Sequence, residues 1–240
     1  MSVRDAVNFR RAVRRYRDEP LDADVVRDCL RLAQLAPSSS NMQLWQVFQV
    51  TSPAMLRRLT EACLGQGTAR TAQQMVVFVT RQDLYREHAC QVFAQESANV
   101  RATSPKERHD HRLRRLWLYY ARVMPLYYAR FHGAAGIARK GLASAIGLVR
   151  PMVREVTESD ANAVVHKSCA LAAQTFMLAM AEVGYDTCPV EGLDSKQIAK
   201  ILDLPRGARV NMVVTCGKRA PGGIWGERQR LPFEEFYSEV

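Results

Sequence analysis

From residue 159 or 160 to Val183 the chain reads as one long helix, apolar on nearly every side, with Gly184 placed to end it in a left-handed turn. A helix of that kind must be wrapped by the rest of the fold. Its longest uncharged part, residues 168–181, is interrupted by Gln174 and falls short of the roughly 18–20 residues that span a bilayer. It is therefore expected at the centre of a globular core. A second constraint comes from residues 75–80, Met-Val-Val-Phe-Val-Thr, a short continuous apolar run typical of a strand covered on both faces. Further extended segments are expected at 45–51, 185–190 and 209–216, and helices at 3–16, 22–36, 52–63 and 195–202. Strands interleaved with helices give an α+β or α/β architecture with a small mixed β-sheet between helices. The 240 residues suit a single domain, 1–240, in which residues 85–157, helical but broken by Pro105, Pro125, Gly133 and Pro151, form an insertion.

Charge is unevenly placed. The net +10 resides entirely in residues 101–154, where twelve Lys or Arg face only Glu107 and Asp110. Such asymmetry points to an acidic partner: nucleic acid, an anionic membrane surface or a phosphorylated ligand. Arg4, Asp5, Arg10 and Arg11 precede any apolar run, so no signal-peptide core is read and a cytoplasmic location is expected. The six cysteines stand far apart without zinc spacing and read as reduced, buried small hydrophobes. His109-Asp110-His111 does not share a helix face, so no metal site is assigned, and Gly65-Gln66-Gly67 lacks the third glycine and the preceding strand of a dinucleotide fingerprint. His166, within the apolar helix, reads as a hydrogen-bonded core or interface histidine.

Four short segments carry candidate chemistry. On a helix, Arg10 and Arg14 lie one turn apart, as do Arg11 and Arg15, and paired guanidiniums suit a phosphate; alone, the pattern is a solvated basic face. Ser38-Ser39-Ser40-Asn41-Met42-Gln43 sets hydroxyls and amides where a helix gives way to a strand, which is a plain turn or a cradle for a polar ligand edge. Pro189-Val190-Glu191-Gly192 follows a strand and allows a planar ligand to approach backbone N–H groups. Arg228 and Arg230, two apart in an extended tail, point the same way.

Together, Arg10-Arg11-Ala12-Val13-Arg14, residues 36–45, Pro189-Val190-Glu191-Gly192 and Arg228-Gln229-Arg230-Leu231-Pro232 resemble, in order and spacing, the FMN-dependent nitroreductase family. The resemblance spans roughly residues 5–80 and 158–236 and implies an α+β, nitroreductase-like intertwined homodimer with two FMN sites at the subunit interface. It further implies that Arg10, Arg11, Ala12 and Arg14 meet the phosphate and the flavin's polar edge, with Arg228 and Arg230 completing the phosphate site. Pro37, Ser38, Ser39, Asn41 and Gln43 would come from the partner subunit, and the backbone of Pro189, Val190, Glu191 and Gly192 would face the flavin. Ala12 stands where the family usually has Ser, and Leu44 where it usually has Pro, a change expected to loosen the turn. The implied reaction passes hydride from NAD(P)H through the flavin to a small conjugated acceptor such as a nitroaromatic or quinone, with no catalytic side chain assigned. Reductive dehalogenation or dehydrogenation of an enone or amide is the alternative within the superfamily. From a different class, the basic segment would make the chain a nucleic-acid or anionic-membrane-binding module, nucleic acid being the less favoured partner. Within residues 113–152, Trp117, Tyr119, Tyr120, Tyr127, Tyr128 and Phe131 mix with arginines. That composition suits a lid or dimer element first, and a segment in which 133–149 lie on anionic lipid second.

Overall fold

The computed structural model describes residues 1–130 and 133–240, so Phe131 of the insertion lies outside the described residues. In chain order the elements are α1 (Val3–Phe9), α2 (Ala23–Ala33), β1 (Trp45–Val50), α3 (Pro53–Ala62), α4 (Gly67–Arg70) and β2 (Gln74–Thr80). There follow α5 (Tyr85–Thr103), α6 (His109–Leu118), a π-helical turn (Tyr119–Val123), α7 (Met124–Tyr128), α8 (Ala134–Ile146) and α9 (Glu158–Glu182). The chain ends with β3 (Asp186–Val190), α10 (Ser195–Ile201), β4 (Arg209–Gly217) and an extended tail.

α9 is the axis of the fold. It starts on a capping box, in which Asp160 N–H donates to Thr157 Oγ1 (3.1 Å) and Thr157 N–H to Asp160 Oδ2 (3.0 Å), and Gly184 ends it at φ +76°. Length and composition alone would let α9 cross a membrane, but its Ala161, Val165, Cys169, Ala172, Ala173, Phe176 and Met180 are buried in the protein core. It is a core helix.

β2 sorts the layers by its two-residue period. Val76 and Phe78 pack with α2 and α9, while Met75, Val77 and Val79 pack with α3, α4 and α10. Every residue of β2 is buried, as a strand covered on both faces requires. The α+β class holds, but the sheet is not mixed. In the order β1-β2-β4-β3 every ladder is antiparallel, and among the described residues the parallel pairing is confined to one bridge, Ala12 with Thr187.

That bridge marks the second correction. Residues 3–16 do not form one helix: α1 stops at Phe9, and Arg10 is extended (φ −63°, ψ 126°). A helix would have kept Val13 on its apolar side as well, but it is the extended chain, paired with β3 and the tail, that buries Val13 and Tyr16, at 0% and 4% exposure. The Tyr16 hydroxyl donates to the Thr215 carbonyl (3.0 Å), and its ring fills the space a Cβ on Gly217 would need, 2.5 Å from Cγ. The tail returns alongside: Arg14 N–H donates to the Gly223 carbonyl (2.7 Å) and Arg17 N–H to that of Lys218 (2.8 Å). Asp186, 3% exposed at its side chain, accepts from Arg219 Nε (2.8 Å) and from the Arg219 N–H (2.7 Å). The Arg219 guanidinium also donates to the Phe9 carbonyl (3.1 Å) and lies 4.3 Å from the Phe9 ring centroid. Both chain ends are thereby locked to the edge of the sheet.

A third core joins residues 85–128 to the rest, with Met42 and Leu44 packed against Ala89, Val92, Tyr120, Met124, Tyr128 and α9. Leu44, 3% exposed, therefore anchors its turn rather than loosening it. Five cysteines are buried, and burial pushes the thiols of Cys29 and Cys63 up to about 11; Cys90 is the exception, exposed on α5.

His166, half-buried, accepts from Asn211 Nδ2 at Nδ1 (2.9 Å), so the hydrogen bond expected of a core or interface histidine is present. Burial first, then Arg209 and Arg130, hold its pKa below the ordinary 6.5. The folded state thus resists protonating this ring. Stability from this source is complete above the unfolded value and is lost as pH falls through the lowered folded value. A melting temperature that drops as pH is lowered below 6.5, with a shallower drop in His166→Gln, is the expected result in thermal melts across that range.

Candidate functional site

The arginines from the two ends of the chain meet. Arg10, Arg11, Ala12 and Arg14 line a cleft of about 250 Å³ together with Ile224, Trp225, Glu227, Arg228, Gln229 and Arg230. The convergence arises from strand geometry and not from a helical turn: in an extended segment Arg10, Ala12 and Arg14 share a side. Arg228 is braced from below, donating to the carbonyls of Val7, Asn8 and Arg10 (3.1, 3.0 and 2.6 Å). These are carbonyls at and just beyond the C-terminal end of α1, where a cation is favoured. Arg11 is tied to the Gly226 carbonyl (2.9 Å), and the Arg14 guanidinium lies 5.6 Å from the centroid of Trp225.

Arg10 differs. Among the described residues its half-buried guanidinium has no hydrogen-bond or ion-pair partner, and burial, then Arg228 and Arg230, lower its pKa. A guanidinium held partly out of water beside two others is costly unless an anion joins them. One carboxylate, Glu227, borders this cleft, and it is exposed and pairs with none of the five arginines. The donor set and its unmet charge fit a phosphate.

The other two segments are placed differently. Pro189 and Val190 end β3, and the exposed Glu191 and Gly192 follow it; the Gly192 carbonyl accepts from Gln66 Nε2 (2.7 Å). Cys188, just before them, lies 3.6 Å from Arg14 Nη1, which links this strand end to the cleft. Residues 37–43 are not brought to the arginines of the same chain. Ser39 N–H donates to Ser168 Oγ (3.2 Å), Ser40 and Tyr119 hydroxyls share a 2.6 Å hydrogen bond, Tyr120 donates to the Ser40 carbonyl (3.1 Å), and His88 Nδ1 to that of Met42 (2.9 Å). Pro37, Ser39 and Asn41 are exposed, and Ser38 Oγ accepts from the Gln43 N–H (3.0 Å). Ser40, Asn41 and Gln43 all have φ near +50°, a conformation costing about 1–2 kcal/mol per residue for L-amino acids. Such strain, held rigid by the insertion, is typical of loops preformed for binding.

Sequence reasoning missed Trp225, whose position beside Gly222, Gly223 and Gly226 was the available signal, and Gln66, which was weighed only as part of a dinucleotide motif. The basic insertion is also less of a binding face than its charge suggests. Arg130 turns inward to Gln82 and Asn162, and Arg139 to backbone carbonyls.

Comparison with known proteins gives a consistent result. The model of the nitroreductase family matches residues 7–218. The chain is 38% identical over 84 residues to an NADH dehydrogenase of Thermus thermophilus, a match covering 35% of this chain and 40% of that protein. Matches to DrgA of Synechocystis (26% identical) and to MhqN of Bacillus subtilis, which carries the name NAD(P)H nitroreductase (23%), cover 92% and 96% of this chain and 88% and 95% of theirs. Among solved structures, a nitroreductase-like protein of Exiguobacterium sibiricum in complex with FMN superposes with a TM-score of 0.71 at 19% identity, covering 100% of this chain and 98% of its own.

Proposed function

The chain belongs to the nitroreductase family, and from that premise we propose that it is a homodimeric FMN-dependent oxidoreductase that uses NAD(P)H to reduce a nitroaromatic, quinone or related conjugated acceptor. The observation that carries the reading is the unpartnered, half-buried Arg10 beside Arg228 and Arg230. The FMN held by the Exiguobacterium relative and the NAD(P)H in the name of MhqN support the same cofactors. FMN, held by these arginines, would supply the hydride-transfer chemistry that links reduced nicotinamide to the second substrate.

The protein's own part is binding and orientation. Arg10, Arg14 and Arg230 take the phosphate, Arg228 fixes the tail that carries Arg230, and Arg11 sets the level of the 226 turn. The backbone from Pro189 to Gly192 forms one wall. At about 250 Å³ the cleft of one chain lies below the roughly 300–1,000 Å³ of a complete small-molecule site. A second copy completes it with Pro37, Ser38, Ser39, Asn41 and Gln43. The tail favours the same assembly: Leu231, Phe233, Phe236 and Tyr237 are 67%, 65%, 72% and 52% exposed, apolar surface that an embracing partner would cover. A cytoplasmic setting, where reduced nicotinamide is supplied, belongs to this reading. The test is an absorption spectrum of the purified protein followed by NADH and NADPH oxidation with nitroaromatic and quinone acceptors. Flavin bands and acceptor-dependent turnover are expected; a colourless protein that takes up no FMN on reconstitution rules the reading out.

A further inference from the structure

α8 is built inside out. Gly136, Arg139 and Ala143, spaced three and four apart, form its buried side. A Cβ on Gly136 would come within 2.8 Å of the Glu158 nitrogen, so the helix is seated closely on the start of α9. Arg139, 9% exposed, donates to the carbonyls of Leu126, Ala129 and Val156. The solvent side carries the aliphatic side chains: Ile137 is 77% exposed, Leu142 60%, and Leu148 and Val149 in the turn that follows 88% and 89%. A helix whose final surroundings are water shows the reverse pattern. Across an apolar crevice of about 130 Å³ the exposed side continues from Leu142 to Leu126 and Met152.

The chemistry of the covering partner follows from the charges. Residues 133–154 contain Arg139, Lys140, Arg150 and Arg154 and no Asp or Glu. Arg139 is buried and Arg154 is tied to the Gly147 carbonyl (3.1 Å), which leaves Lys140 and Arg150 exposed among the aliphatic side chains. Set against the same face of a second copy, it would bring like cations together with no carboxylate from the same stretch. An anionic lipid surface meets both demands, with acyl chains for the aliphatic groups and phosphates for the cations. We infer that α8 and the turn after it, through Ile137, Leu142, Leu148 and Val149 with Lys140 and Arg150, dock the protein on an anionic lipid bilayer. At 13 residues, about 20 Å long, α8 lies in the interface and does not cross it. The inference is independent of the flavin chemistry.

Co-sedimentation of the full chain with phosphatidylglycerol–phosphatidylcholine vesicles, and with phosphatidylcholine alone, tests it. Binding to the anionic vesicles that weakens at high salt is expected, with little on neutral ones. Leu148→Ser/Val149→Ser should lower affinity about tenfold or more without altering thermal melting, since both side chains are exposed already. Lys140→Gln and Arg150→Gln should each lower it about fivefold. Absence of wild-type binding, or equal binding to both vesicle types, overturns the inference. So does a serine double variant that keeps its vesicle affinity, or one that instead changes the molecular mass in sedimentation equilibrium, which would assign the face to a protein interface.

Discussion

Arg10→Ala is expected to weaken FMN binding about 10- to 100-fold while leaving thermal stability of the flavin-free protein unchanged or slightly raised. A hydrogen bond to a charged group contributes about 1.5–3 kcal/mol, and among the described residues no protein group hydrogen-bonds or ion-pairs with the Arg10 guanidinium in the cleft. Removing it from the flavin-free state takes away a partly buried charge next to Arg228 and Arg230 and breaks no hydrogen bond or ion pair among the described residues. Arg228→Ala should behave otherwise. Three backbone carbonyls lose their donor, so stability and FMN affinity fall together. Fluorescence titration of FMN into apoprotein, paired with melts of the same samples, separates the two cases; parallel losses in both variants would show that Arg10 is only a structural residue.

Asp186→Ala is expected to have the largest effect on the fold. Its carboxylate is 3% exposed and holds Arg219, which in turn holds Phe9 at the end of α1. Removing the carboxylate takes the charge-assisted hydrogen bonds from Arg219, itself 31% exposed at its side chain, which costs about 1.5–3 kcal/mol. Denaturant unfolding should show that loss. Because α1 leads directly into Arg10, retained FMN affinity in a folded Asp186→Ala protein would mean that the cleft does not depend on this lock.

Most of the scaffold could be read from residue patterns. The unbroken apolar character of α9 and the two-sided burial of β2 leave few alternatives; for α2 the sequence offers Asp22 or Asp24 as cap and for α10 Asp194, and the structure has Asp22 and Asp194 in that role. The segment 10–16 was misleading because Arg10, Arg11, Arg14 and Arg15 sit at spacings that fit a helix. The deciding residues, Val13 and Tyr16, gain burial only by pairing with β3 and the tail, partners far away in sequence. The antiparallel sheet was hidden for the same reason: strand direction is set by how the intervening helices pack, not by the strands' own composition. In the site, the arginines were legible as types but their meeting was not, since it rests on the Asp186–Arg219 lock and on the return of the tail past Arg14. The inverted burial of α8 was visible only as a basic, aliphatic composition, because a helix pattern does not say which side faces water.

The central claim, that guanidiniums from both chain ends gather around one phosphate, is tested most directly by comparing FMN with riboflavin, which differ only in that group. In side-by-side titrations of the apoprotein, FMN should bind at least about 100-fold more tightly than riboflavin, as loss of several charge-assisted hydrogen bonds implies. Arg10→Ala and Arg230→Ala should each shrink that ratio while leaving riboflavin affinity nearly unchanged. Equal affinities for the two ligands in the wild-type protein would contradict the claim.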